Sequence, residues 1–168
     1  MISVSGPYSV DKLMSEARRL AAEYRRATGK PLAISNEIAV FDAARLLDLT
    51  IPEQPVAGYD AVGRGSREGL RILVKARAIF DETKSGQRIG QLKLDKEWDR
   101  VLLVLMDEEY EPCEIYEADR ATIVDALKER EQSSRNRRGS MTIARFRHLS
   151  RLVWTRQEGE ITDEVWEN

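Results

Sequence analysis

The sequence predicts an α/β fold, a mixed central sheet of about four to five strands flanked by helices. Three observations predict it. Apolar residues recur at three- and four-residue steps up to about Asp48, the middle of the chain changes to alternation and continuous apolar runs, and helical spacing returns after Asp119. The 168 residues amount to one domain, against a typical size of about 150. Residues 1–131 are expected to form the core with its N-terminal helices. Residues 132–168 would be a basic loop, a last helix and an acidic tail packed on or extending it.

Tyr8 to Thr28 reads as an amphipathic helix with Val10, Leu13, Met14, Ala17, Leu20, Ala21 and Tyr24 inward, and Arg18, Arg19, Arg25 and Arg26 outside the stripe. Ser9 is its N-cap and Gly29-Lys30-Pro31 its stop. A second helix runs from Ser35 to Asp48 on a stripe of Val40, Phe41, Ala44 and Leu47. Gly58 to Gly63 is a short strand or turn entry, followed by a turn at Arg64-Gly65-Ser66. Leu70 to Phe80 is a long strand, and 83–91 a polar loop. Val101 to Met106 is apolar throughout, as in a strand buried on both faces, with Glu111 to Tyr116 as its hairpin partner and Pro112 at the turn or an edge. Asp119 to Glu129 is a helix, Gln132 to Ser140 a linker, and Thr142 to Trp154 a final helix.

Composition excludes several chemistries. Cys113 and His148 are the only residues of their kinds, so an intramolecular disulfide, a multi-thiolate zinc site and a multi-histidine metal site are all excluded. No apolar run approaches the ~18 residues of a membrane span, and no signal pattern opens the chain, so a cytoplasmic location is expected. The net charge of −2 hides a basic stretch: seven arginines and no acid between Gln132 and Arg156. Such a segment can track a polyanion or pair with acids of its own chain.

Three residues fit poorly in a purely structural reading. Glu37 shares a helical face with Phe41 and Ala44, where a buried carboxylate would need a cation; the ordinary alternative is a first-turn acid facing the helix dipole. Asp60 sits between Gly58 and Gly63, where Asp is also a common turn former. Lys75 interrupts an apolar strand, sharing one side with Leu73, Arg77 and Ile79, while Ile72, Val74, Ala76, Ala78 and Phe80 face the main core. That places the two cations toward a cleft, an anion or water. Two carboxylates and an amine could hold Mg²⁺ beside a phosphate, since Mg²⁺ takes hard oxygens and usually only one or two carboxylates.

On Gly58-Tyr59-Asp60, the strand Ile72-Leu73-Val74-Lys75 and the preceding helix with Glu37, the chain resembles the PD-(D/E)xK superfamily of restriction-endonuclease-like nucleases. It also looks like a group of small uncharacterised bacterial proteins of that fold, which share the Asn36-Glu37 helix and a stretch like Gln87-Arg88-Ile89-Gly90. The resemblance covers roughly residues 34–120. It implies a restriction-endonuclease-like core, with Asp60 a metal ligand, Lys75 the catalytic lysine, the main-chain carbonyl of Val74 a further ligand and Glu37 the helix acid. The family's second acid, two residues before the lysine, is replaced here by Leu73. Glu82-Thr83-Lys84 spells an acid-x-lysine tripeptide, but in the polar loop, where it reads as chance. Glu37 is expected to supply the missing carboxylate; the alternative is a catalytically weak or inactive relative.

The expected function is a Mg²⁺- or Mn²⁺-dependent nuclease acting on DNA, or else RNA. Arg77, Gln87, Arg88, Arg135, Arg137 and Arg138 would contact phosphates, and the enzyme could be a homodimer. Alanine at Asp60 or Lys75 is expected to abolish cleavage without unfolding the protein. The rival is an inactive module of the same fold that binds nucleic acid or a protein partner.

Overall fold

In a computed structural model, residues 9–79, 87–129 and 140–162 are described. The expected Glu82-to-Lys84 tripeptide, the end of the long strand at Phe80, most of the 132–140 linker and the last six residues lie outside them. Helix α1 (Val10–Thr28) starts on Ser9, whose hydroxyl accepts the Lys12 N–H, and ends on Gly29 at φ 72°. Helix α2 (Ser35–Leu47) follows, then strands β1 (Leu49–Thr50) and β2 (Ala61–Gly63), a 3₁₀ turn at Gly65–Arg67, and β3 (Arg71–Ala78). β4 (Arg100–Met106) and β5 (Pro112–Asp119) form the central hairpin. Helices α3 (Arg120–Lys128) and α4 (Ile143–Leu149) precede β6 (Arg151–Thr155) and β7 (Gly159–Glu160).

The seven strands lie in sequence order in one sheet, which curls into a half-barrel. Every neighbouring pair is antiparallel except β3 and β4, which run parallel from Ile72 opposite Arg100 to Ala78 opposite Met106. The sheet is therefore mixed, but wider than the four to five strands expected. The difference has two sources. β1 and β7 are two-residue strands too short to leave an alternation. The span Thr142–Trp154 breaks at Ser150, so that only Ile143–Leu149 is helical and Leu152, Val153 and Trp154 belong to a strand. Ser150 has extended backbone angles, φ −110° and ψ 176°, which end the helical run that the apolar spacing suggested.

Two apolar layers cover the sheet. On one face Ile72, Val74, Ala76, Leu102, Val104 and Ile115 meet Ile38, Ala39 and Ala43 of α2 and Ala21 and Ala22 of α1. On the other, Leu73, Val101, Leu103, Leu105, Tyr116 and Ala118 meet α3, α4 and the crossover residues Ile89, Leu92 and Trp98. β4 is buried on both faces from Val101 to Met106, as its apolar run implies.

Helix α1 corrects one expectation. Arg18 is buried, and Leu13, Leu20 and Tyr24 are exposed. The reason is electrostatic: Asp42, fully buried on the inner face of α2, takes both terminal nitrogens of Arg18 at 2.8 and 2.9 Å. A buried carboxylate left without a cation is strongly destabilising, so the ion pair sets the rotation of α1 against its apolar stripe. The same constraint turns α2, whose buried residues are Ile38, Ala39, Asp42, Ala43 and Leu47 while Val40, Phe41 and Ala44 lie half-buried beside them.

Candidate active site

Two glycines hold Asp60 in place. Gly58 has φ 107°, a left-handed conformation, and an added Cβ would stand 2.8 Å from the Lys96 Cβ. At Gly63 a Cβ would meet the Arg67 carbonyl oxygen at 2.2 Å. Between them the chain enters β2 with the Asp60 N–H donating to the Ile72 carbonyl at 2.8 Å and Asp60 Oδ2 accepting the Val74 N–H at 2.8 Å. The carboxylate thus replaces the main-chain acceptor that β2 would supply if it began earlier. Asp60 Oδ1 accepts no hydrogen bond among the described residues.

Asp60, Glu37 and Glu53 line one pocket of about 440 Å³, with Asn36 and Phe41 of α2, Ile51, Pro52, Pro55 and Val56 of the loop after β1, and Tyr59. Glu37 is exposed in the first turn of α2, so the expected burial on an apolar stripe does not occur. The face it shares with Phe41 looks into the pocket because Asp42 and Ile38 take the core side. Among the described residues no group of three or more His, Cys, Asp or Glu side chains is placed to hold a metal.

Lys75 lies one diagonal step from Asp60, since Ala61 is registered with Ile72 and hence Asp60 stands opposite Leu73. Its side chain is half-buried and reaches Gly90 of the crossover, whose added Cβ would lie 3.7 Å from Lys75 Nζ and 3.5 Å from Arg77 Nη2. Burial pulls the Lys75 amine below its ordinary pKa, and the cations of Lys93 and Arg77 push the same way, while Asp60 opposes them. Arg77 is likewise held below its ordinary value by burial. Its guanidinium donates to the carbonyls of Arg88 and Ala76, both at 2.6 Å, and pairs with no carboxylate among the described residues. Lys75 thus stands among like charges, with Arg77 beside it at Gly90 and Asp60 one diagonal step away.

Lys93 has no signal in the sequence. Its φ of 48° turns the chain back, and its carbonyl accepts the Lys96 N–H at 3.0 Å and the Trp98 indole N–H at 3.1 Å. Trp98 is fully buried, so it anchors that turn from the second core. Leu73, two residues before Lys75, is 1% exposed in that same core. Val74 points its side chain into the first core and gives its N–H to Asp60.

The remaining expected phosphate contacts divide. Arg88 is spent on Ser140, donating to its carbonyl at 2.9 Å and its hydroxyl at 3.3 Å, next to an antiparallel bridge between Arg88 and Thr142. Gln87 is exposed; its side-chain amide lies 3.5 Å from the Ala78 carbonyl, and its main-chain carbonyl accepts the Ile143 N–H at 2.9 Å. Arg135, Arg137 and Arg138 lie outside the described residues. Further along the basic stretch, Arg145 caps α3 through the Ala126 carbonyl, Arg147 bonds the Tyr116 hydroxyl, Arg151 pairs with Glu117 and Arg156 with Asp107. His148 is exposed, and no helix among the described residues is long and apolar enough to cross a membrane.

No family model matches this chain, and no curated protein matches it either.

Proposed function

We propose that this protein is a divalent-metal-dependent nuclease of the restriction-endonuclease-like class, acting on DNA or, failing that, RNA, in the cytoplasm. One observation carries the reading: Glu37 and Asp60, far apart in sequence, line the same pocket, and Asp60 is electrostatically coupled to the half-buried amine of Lys75. Two carboxylates on a common solvent-filled space match the ligand demand of Mg²⁺ or Mn²⁺, which keep several waters and complete their shell with substrate oxygens. When bound, such an ion would polarise the phosphoryl oxygen and make a water more acidic. The chain's own residues do the rest. Asp60 is aimed by its bond to Val74, Lys75 takes or orients a proton of the attacking water, and Arg77 and Lys93 offset charge that builds on the phosphate.

The test is cleavage of labelled single- and double-stranded DNA and RNA with Mg²⁺ or Mn²⁺, comparing the parent with Asp60→Asn and Lys75→Met. The reading predicts metal-dependent hydrolysis in the parent and its loss, by about 100-fold or more, in both variants. Equal cleavage by all three proteins would sink it.

A second reading has its own observation. Leu73 fills with packed hydrocarbon the position where the family it resembles keeps an acid. A module that binds nucleic acid through Lys75, Arg77 and Lys93 without cutting it would show oligonucleotide binding but no heat on titration with Mn²⁺.

A further inference from the structure

Part of the apolar stripe of α1 is left in water. Val10, Leu13, Ala17, Leu20, Tyr24 and Ala27 recur at alternating three- and four-residue steps, the spacing of a two-helix seam. The Arg18–Asp42 pair turns Ala21 and Ala22 to the core instead, and leaves Leu13, Leu20 and Tyr24 47%, 56% and 39% exposed. Among the described residues the other large apolar side chains so exposed are Ile51 and Val56, on the pocket that Val10 and Met14 of α1 also line. The exposed apolar surface thus runs from the stripe onto the pocket rim. Apolar area gathered in one place, instead of scattered singly, marks an interaction face. Charges alternate along the outer edge of the stripe. Lys12, Glu16, Arg19 and Glu23 are all exposed there, and none forms an ion pair with another described residue.

We propose that this face docks a second copy of the chain, α1 against α1 and antiparallel, about a two-fold axis between residues 18 and 19. Leu13 then meets the second copy's Tyr24, and Ala17 meets its Leu20, a small side chain against a large one at the centre. The charges choose this occupant. Along the helix their order is base, acid, base, acid, and reversing it gives the complementary order. An antiparallel copy brings the two charged edges together on one side of the seam, Lys12 by the second copy's Glu23 and Arg19 by its Glu16. Symmetry makes each pair twice, as an interface that matches itself requires. A parallel copy would set the two edges on opposite sides, and a partner helix of uniform charge would meet a like charge at every second position. The pairing also takes Leu13, Leu20 and Tyr24 out of water. It does not depend on the nuclease reading and holds whether or not the protein cuts nucleic acid.

The experiment is sedimentation equilibrium of the full chain from about 1 to 100 μM, where a modest helix-pair contact shows its dissociation. The mass is expected to rise from the 19.2 kDa of one chain toward twice that value. Leu20→Asp, at an exposed position, should weaken association by about 10-fold or more with an unchanged far-ultraviolet dichroism spectrum. Two charge variants leave the apolar stripe intact and test the register, so they remain decisive should Leu20→Asp disturb the helix. Arg19→Glu sets an acid against the second copy's Glu16, and Glu16→Lys sets a base against its Arg19. Each alone should associate about 10-fold less tightly than the parent. In an equal mixture both attractive pairs return, and the two variants should associate with each other as the parent does with itself. The mass of one chain at every concentration, a dimer that Leu20→Asp leaves intact, or a mixture no more associated than either charge variant alone would each overturn the proposal.

Discussion

Asp60 Oδ2 accepts the main-chain N–H of Val74 at 2.8 Å, so the same carboxylate that faces the pocket also closes the ladder between β2 and β3. Two substitutions at this position therefore differ. Asp60→Asn keeps an amide oxygen for the Val74 N–H and removes the negative charge. Asp60→Ala leaves that N–H without its acceptor, at a cost of about 1–3 kcal/mol, contrary to the expectation that alanine here spares the fold. Urea melts should place Asp60→Asn near the parent and Asp60→Ala clearly below it, while both lose cleavage. If Asp60→Ala is as stable as Asp60→Asn, the bond to Val74 contributes nothing to the fold.

Lys75 stands where its charge is unwelcome, and the direction of its shift makes a pH prediction. Its folded pKa lies below the ordinary 10.5 because of burial and the neighbouring Lys93 and Arg77. The unfolded chain therefore binds more protons between the folded and ordinary values, and stability rises with pH through that window. Lys75→Met should remove this slope and stabilise the protein at neutral pH by about 1 kcal/mol, measured by denaturant melts at pH 7 and 10. The same shift helps a group that must shed its proton to work. Lys93→Ala removes one of the causes, so the rising limb of the pH–rate profile should move to higher pH. A limb that stays put means Lys75 is not the titrating group.

The Arg18–Asp42 pair, rather than the apolar stripe, orients α1. Asp42→Ala leaves a buried guanidinium that keeps, among the described residues, the Tyr110 carbonyl and the half-exposed carboxylate of Glu111, with Asp107 further off, and should destabilise by about 3–5 kcal/mol. The double change Arg18→Met with Asp42→Leu replaces charge by packing and should recover most of that loss. Thermal melts of the three proteins decide it. A double variant as unstable as the single one would mean that the surrounding helices cannot close around apolar side chains.

The sequence made the site legible where local rules suffice. Gly58 and Gly63 bracket Asp60 because a Cβ at either position collides, and strand alternation put Lys75 and Arg77 on the face opposite Val74. The order of helices and the doubly buried β4 follow from periodicity for the same reason. What stayed hidden depends on distant partners. Arg18 looks like a surface cation until Asp42 is seen to need it, and Lys93 belongs to the site only because Trp98 fixes a left-handed turn. Glu37 is a milder case: its company with Phe41 and Ala44 was visible, but whether that face meets core or pocket was decided by Asp42 on the other side of the helix.

Gly90 gives the sharpest test of the cation cluster. It has no side chain over Lys75 Nζ and Arg77 Nη2, and a Cβ there would sit at ordinary contact distances, 3.7 and 3.5 Å. Gly90→Ala should therefore fold and bind like the parent. Gly90→Glu would place a carboxylate between two half-buried cations whose one acidic neighbour among the described residues is Asp60, beside Lys75. That internal ion pair should raise stability by up to about 1 kcal/mol and occupy the position proposed for a phosphate, weakening oligonucleotide binding by about 10-fold or more. Stability and binding are thus expected to move in opposite directions, as read by thermal melts and by titration of one labelled single strand at fixed salt. If Gly90→Glu binds the strand as well as Gly90→Ala does, the phosphate is held somewhere other than over Lys75 and Arg77.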